Sequence, residues 1–152
     1  MTHKIDTRLV HAGEPRPRIE GAVSLPVFQS STFEYAGQGR YDDLRYIRLN
    51  NTPTHIALGR KLAALEGAEA ALVTGSGMAA ISAVLLTLLS PGDHLIAQSG
   101  LYGGTHAFIA EDLAAMGISV DWTAGEDPAE LAPLIRPTTR LFYVETLTNP
   151  LL

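Results

Sequence analysis

Cysteine is absent from the 152 residues, which excludes a disulfide framework and any thiolate metal centre. Lysine is nearly absent too: Lys4 and Lys61 are the only ones, one in the terminal stretch and one between Arg60 and Leu62, where a solvated charge is expected. Charged residues make up only 18% of the chain, and the net charge of -5 comes without a basic run. Nucleic acid and anionic membrane surfaces are therefore poor partners. Long hydrophobic runs are missing as well. The most apolar stretch, Met78 to Leu89, is far too short to span a bilayer. The opening Met1-Thr-His-Lys-Ile-Asp-Thr-Arg8 has no apolar h-region and is not a secretory signal. His3, His11, His55, His94 and His106 lack metal-ligand spacing, so no metal site is expected. The composition reads as a soluble, cytoplasmic protein.

What the chain does contain is a 46% hydrophobic content, enough for a buried core. Residues 1–50 hold Pro15, Pro17 and Pro26, the aromatics Phe28, Phe33, Tyr35, Tyr41 and Tyr46, and no sustained helical period. Such a segment reads as an extended arm that packs on something else. Residues 51–152 are regular. Thr52 and Pro53 predict a helix start, Ile56, Leu58, Leu62 and Leu65 its apolar face, and Gly67 its end. Ala70–Thr74 reads as a strand, Met78–Leu89 as a buried helix, and His94–Gln98 as a strand. Thr105–Met116 reads as a helix, Ile118–Trp122 as a strand, Pro128–Ile135 as a helix and Arg140–Val144 as a strand. Strands alternating with helices predict an α/β fold with a largely parallel sheet covered on both faces. Four strands ending at Leu152 read as the first part of a longer domain.

Leu72-Val-Thr-Gly75-Ser76-Gly77-Met78-Ala-Ala80 joins a predicted strand to a predicted helix. Glycines there permit a tight turn and close approach to the backbone, and a helix N-terminus offers free N–H groups, so an anion such as a phosphate fits. A plain turn without a ligand is the alternative. Gly75-x-Gly77-x-x-Ala80 also matches a loose dinucleotide fingerprint, and a nucleotide-binding oxidoreductase domain is a second reading. That reading wants an acid at the end of the next strand, where Gln98 and Ser99 stand. A nicotinamide cofactor is disfavoured.

Several motifs occur in a fixed order: Val10-His-Ala-Gly13, Pro26-Val-Phe-Gln-Ser-Ser-Thr-Phe33, Tyr46-Ile-Arg48-Leu-Asn-Asn-Thr-Pro-Thr54, Gly75-Ser-Gly-Met-Ala-Ala80, Leu101-Tyr-Gly-Gly-Thr105 and Glu145-Thr-Leu-Thr-Asn-Pro150. Together they resemble the pyridoxal-phosphate (PLP) enzymes of cysteine and methionine metabolism, which include cystathionine γ-synthase, β-lyase and γ-lyase, methionine γ-lyase and O-acetylhomoserine sulfhydrylase. The resemblance implies the fold-type I (aspartate-aminotransferase-like) architecture and pyridoxal 5'-phosphate as cofactor. It also implies a sulfur amino acid as substrate and a homo-oligomer, a dimer of dimers. By the same resemblance, Gly77 and Met78, with Ser76, would bind the cofactor phosphate. Tyr46 and Arg48 would reach the phosphate of a neighbouring subunit's cofactor. Tyr102 would stack on the pyridine ring and assist proton transfer, and Asn149 would lie near the ring hydroxyl and the substrate carboxylate. Glu145 reads as a hydrogen-bond anchor.

The family's cofactor-bonding lysine, ring-nitrogen acid and carboxylate-binding arginine are expected beyond Leu152. The chain alone is therefore expected to be inactive, as the N-terminal fragment of an enzyme that makes or breaks carbon–sulfur bonds by β/γ-elimination or replacement. A non-catalytic dimerisation fragment is the remaining alternative. Methionine γ-lyases often carry a cysteine at the position matching Gly104, which makes that activity the less favoured one.

Overall fold

The computed structural model describes residues 4–124 and 127–148. The chain forms two units, Met1–Val73 and Thr74–Leu152. In the first unit, Thr52 and Pro53 start the longer helix as the sequence predicts. Helix α1 spans Ile5–His11 and α2 spans Pro53–Glu66. The Thr52 hydroxyl accepts the His55 N–H at 3.4 Å, occupying one of the donors that a helix start leaves free. Gly67 ends α2 in the left-handed region at φ 67°.

The packed face of α2 differs from the expected one. Leu58 and Leu62 are exposed, whereas Gly59 and Ala63 are buried. A Cβ on Gly59 would stand 2.8 Å from the Ala71 carbonyl oxygen. The extended chain there comes so close to the helix that only small residues fit, and bulky leucines turn away.

Residues 70–74, predicted as a strand, form no ladder with the described residues. Their apolar composition favours extended backbone, but a strand exists only by pairing, which depends on neighbours rather than on local sequence. In the same way α1 appears in an arm that has no helical period of its own. Two turns are marginal in isolation. This helix is held from outside, by Arg8 Nη1 donating to the Ala64 carbonyl at 2.7 Å and Lys61 Nζ to the Val10 carbonyl at 3.3 Å. The arm buries none of its aromatics: Tyr35 and Tyr41 are exposed, and Phe28, Phe33 and Tyr46 are half-buried.

The second unit contains α3 (Gly77–Leu88), β1 (His94–Gln98), α4 (Gly103–Ala107), β2 (Ser119–Thr123), α5 (Pro128–Leu131) and β3 (Thr139–Tyr143). The strands pair in the order β2-β1-β3, both ladders parallel. Strand β1 falls where predicted, and β2 and β3 are displaced by one residue from the predicted bounds. Helix α4 begins two residues earlier than expected and continues as a π-helical stretch, Phe108–Leu113. Helix α5 is shorter than predicted and gives way to a 3-10 turn at Ala132–Leu134. Leu85, Leu89, Leu95, Ala97, Leu101, Ile109, Leu113 and Ile118 form the core. Each fully buried leucine or isoleucine contributes about 1.5–3 kcal/mol. At the amino end of the sheet His94 is fully buried. Its Nδ1 lies 2.8 Å from Thr139 Oγ1 on β3, and its Nε2 faces Asp121 Oδ2 on β2 at 3.3 Å.

Beside these hydrogen bonds, the α1–α2 contact depends on one backbone position. Gly13 has φ 79°, and a Cβ on it would lie 2.3 Å from the Ala57 carbonyl oxygen and 2.8 Å from the Lys61 nitrogen. Gly13→Ala should cost at least about 2 kcal/mol, from left-handed strain and a backbone clash that cannot relax. Amide exchange should accelerate over Ile5–His11 while the amides of β1 stay protected. Unchanged protection of α1 would contradict this packing.

Candidate functional site

Parallel strands deliver their following turns to one edge of a sheet. In the second unit the carboxyl ends of β1 and β3 lead into the turns that carry Tyr102 and Glu145. The glycine turn approaches the same region: Thr105 Oγ1, fully buried at the start of α4, contacts Met78 Sδ in α3 at 3.7 Å.

Ser76 is the N-cap of α3, and its hydroxyl accepts the Ala79 N–H at 3.0 Å. The Ala80 N–H bonds the Ser76 carbonyl. Among the described residues the N–H groups of Gly77 and Met78 have no acceptor. These donors stand at the positive end of a 12-residue helix. Neither Gly75 nor Gly77 is among the glycines with positive φ, and a Cβ on either would meet nothing within 4 Å. Backbone strain and packing therefore do not demand glycine at these positions. Open space beside free amides is what a phosphate oxygen requires, so the turn fits the phosphate of the expected cofactor.

Tyr102 precedes α4 and half of its surface is exposed. Its N–H donates to Glu145 Oε2 at 3.0 Å, and the Glu145 N–H donates to Gln98 Oε1 at 3.0 Å. This contact was not foreseen: the carboxylate read as an anchor fastens the Tyr102 turn, 43 residues earlier in the chain. No sequence period signals such a contact. The Gln98 side chain, at the position where a nicotinamide reading wants an acid, is engaged in this link.

In the first unit Tyr46 and Arg48 lie together. Arg48 Nη2 donates to the Tyr46 hydroxyl at 3.2 Å, and the guanidinium carbon sits 5.2 Å from the centre of the Tyr46 ring. The loop is tied by Asn51, which accepts the Tyr46 N–H at 2.8 Å and donates to the Leu44 carbonyl at 2.6 Å. Asn50, in the left-handed region at φ 54°, donates to the Val73 carbonyl at 2.6 Å. Both asparagines belong to the quoted motif, but the residue pattern gave no reason to assign them this structural task. Asn149 lies outside the described residues. A cavity of about 450 Å³ in the first unit, lined by residues including His11, Gly13, Glu14, Arg18 and Lys61, contains none of the predicted site residues. Among the described residues no cluster of histidine and acidic side chains could hold a metal ion, and no helix is long and apolar enough to cross a membrane.

The Tyr143 phenol lies within hydrogen-bonding reach of Thr105 and Glu145, and burial, followed by the Glu145 charge, raises its pKa above the ordinary 10.0. A raised value means that the folded chain favours the neutral phenol. The resulting stability is complete below the unfolded pKa and is lost as pH climbs through the folded one. Unfolding midpoints measured from about pH 9 upward should fall more steeply for the unmodified protein than for Tyr143→Phe. Superimposable alkaline limbs would refute the assignment.

A family profile described as "Cys/Met metabolism PLP-dependent enzyme" matches residues 6–152. The chain is 41% identical over 152 residues to a probable cystathionine gamma-synthase of Herpetosiphon aurantiacus, covering all of this chain and 47% of that protein. It is 38% identical to the cystathionine gamma-lyase of Bacillus subtilis, covering 98% of this chain and 39% of the relative. The crystal structure of metB from Corynebacterium glutamicum superposes with a TM-score of 0.90 at 33% identity, over 98% of this chain and 39% of that one. The chain thus spans less than half the length of these relatives. With a parallel α/β sheet and a glycine turn fit for a phosphate, the chain belongs to the family of PLP-dependent enzymes of cysteine and methionine metabolism.

Proposed function

We propose that residues 51–152 supply the phosphate-holding part of a PLP site in an enzyme acting on cystathionine or a related sulfur amino acid, and that residues 1–50 form an arm completing a neighbouring subunit's site. The whole protein makes or cleaves carbon–sulfur bonds by β/γ-elimination or replacement. The supporting observation is the pair of unengaged amides at Gly77 and Met78 beside glycines that neither φ nor packing requires. Names among the relatives divide between cystathionine synthase, cystathionine lyase and methionine lyase, so the reaction class is proposed at that breadth.

Ser76, Gly77 and Met78 would hold the phosphate from the helix end. When bound, pyridoxal phosphate supplies an electron sink that acidifies the substrate's Cα–H bond. Tyr102, half exposed at the same edge, would cover the face of the pyridine ring and orient it. With the cofactor bound, its phenol could take or return a proton as the sulfur group departs. Arg48, backed by Tyr46, has a planar fork that would suit the phosphate of a neighbouring subunit's cofactor. The family resemblance would give Asn149 a role beside the cofactor's ring hydroxyl and the substrate carboxylate. This exchange of arms builds a dimer, and dimers pair into a homotetramer. The exposed Leu9, Val10, Val23 and Val27 of the arm favour that reading, since they are large apolar side chains left without cover. The protein works in the cytoplasm.

The whole protein mixed with pyridoxal phosphate should acquire a visible absorption band and release or replace the sulfur group of cystathionine. Arg48→Ala should weaken cofactor binding roughly 10- to 100-fold through loss of a charged hydrogen bond. Ser76→Ala should weaken it about fivefold. A protein that stays colourless would refute the cofactor site, and one that is coloured but inert toward every sulfur amino acid would refute the substrate class.

A further inference from the structure

The turn carrying Tyr102 is constrained at two points to which the proposed function assigns no role. Tyr102 occupies the N-cap of α4 without any side-chain cap, because a phenol cannot fold back onto the first turn as serine does. The Glu145 carboxylate takes over part of that task by accepting the Tyr102 N–H at 3.0 Å. This is a charge-assisted bond at the positive end of a helix. Glu145 is itself fixed, through its N–H to Gln98 at the carboxyl end of β1. The main chain at residue 102 is thereby tied to the most buried strand of the unit.

The second constraint acts on the ring. A Cβ on Gly104 would stand 2.7 Å from Tyr102 Cε1 and 3.4 Å from both Cδ1 and Cζ. Gly104 does not have a positive φ, and the next residues are helical, where alanine is the better former by about 1 kcal/mol. Local backbone conformation gives no reason for glycine at this position. The ring lying over it does. A half-exposed tyrosine would otherwise sample several staggered χ1 wells, and a bare Cα at residue 104 is what keeps the observed one open.

We propose that Glu145 and Gly104 are positioning residues that set the plane of the Tyr102 ring, one by fixing its main chain and the other by leaving room for its edge. This rests on the reading that Tyr102 covers the cofactor, and it adds what holds the tyrosine there.

The test is a double-mutant cycle in the whole protein loaded with pyridoxal phosphate. Its readouts are the cofactor dissociation constant and the visible circular dichroism of the bound cofactor, which reports ring orientation. Gly104→Ala and Glu145→Ala should each weaken cofactor binding roughly two- to tenfold, the range of an aromatic stacking contact, and diminish the visible dichroism. Glu145→Gln keeps an acceptor oxygen and should restore part of both signals. In a Tyr102→Ala background neither substitution should have any further effect, whereas in Tyr102→Phe, which keeps the ring, both effects should persist. Full-sized effects in the Tyr102→Ala background would overturn the proposal, since the residues would then act through the fold. Absence of any effect in the wild-type background would overturn it equally. Should Glu145→Ala fail to fold, Gly104→Ala carries the test alone. A wild-type protein that takes up no cofactor would refute the proposed function instead, and this inference with it.

Discussion

Strand β1 is hydrogen-bonded on both sides by parallel neighbours, and its Leu95, Ile96 and Ala97 are essentially shut off from solvent. A parallel strand with partners on both edges cannot be reached by a tight hairpin, so each neighbour must arrive through a crossover. Every crossover then departs from the same edge of the sheet. That constraint sends the turns after β1 and β3 toward one another and makes the Tyr102–Glu145 bond possible across 43 residues. The amino end is fixed separately: buried His94 spans from Thr139 on β3 to Asp121 on β2. With both ends of β1 tied, one edge is left to present functional groups.

Much of the fold is legible in the sequence because its elements are local in origin. His94–Gln98 is bounded by a Pro-Gly-Asp turn and a glycine, and the strand falls on the predicted residues. Thr52 and Pro53 mark a helix start by chemistry that needs no tertiary partner. What failed was non-local. Residues 70–74 have the composition of a strand but lack a ladder among the described residues. The α2 face reads as leucine-rich but packs through Gly59 and Ala63, because the closeness of the Ala71 backbone is not written in α2 itself. Helix α1 owes its existence to Arg8 and Lys61 contacts more than 50 residues away in the chain.

The site shows the same division. The glycine turn is visible as a pattern, yet the pattern alone cannot separate a phosphate cradle from a tight bend. At Gly75 and Gly77 neither the backbone angle nor any neighbouring atom within 4 Å calls for glycine, as is also true of Gly39 and Gly103. Gly13 is the opposite case, demanded by both a φ of 79° and a carbonyl 2.3 Å from the missing Cβ. One chain therefore holds glycines kept for packing and glycines that packing leaves unexplained, and of the second kind Gly75 and Gly77 are set apart by the unengaged amides of the helix start beside them.

Gly104 belongs to a third kind, and it shows why motif and mechanism need to be read together. The atoms nearest its missing Cβ are those of the Tyr102 ring, so what it accommodates is a side chain within its own motif. An alanine there would suit the helix better and would cost only the tyrosine its place. The Leu-Tyr-Gly-Gly-Thr stretch thus works as one device. Thr105 contacts Met78 at the glycine turn, Gly104 leaves room for the ring, and the Tyr102 amide is held by a carboxylate from the turn after the neighbouring strand. Such a device spends local helix stability on the orientation of one aromatic ring, and that is a reasonable exchange only where the ring faces something whose orientation matters.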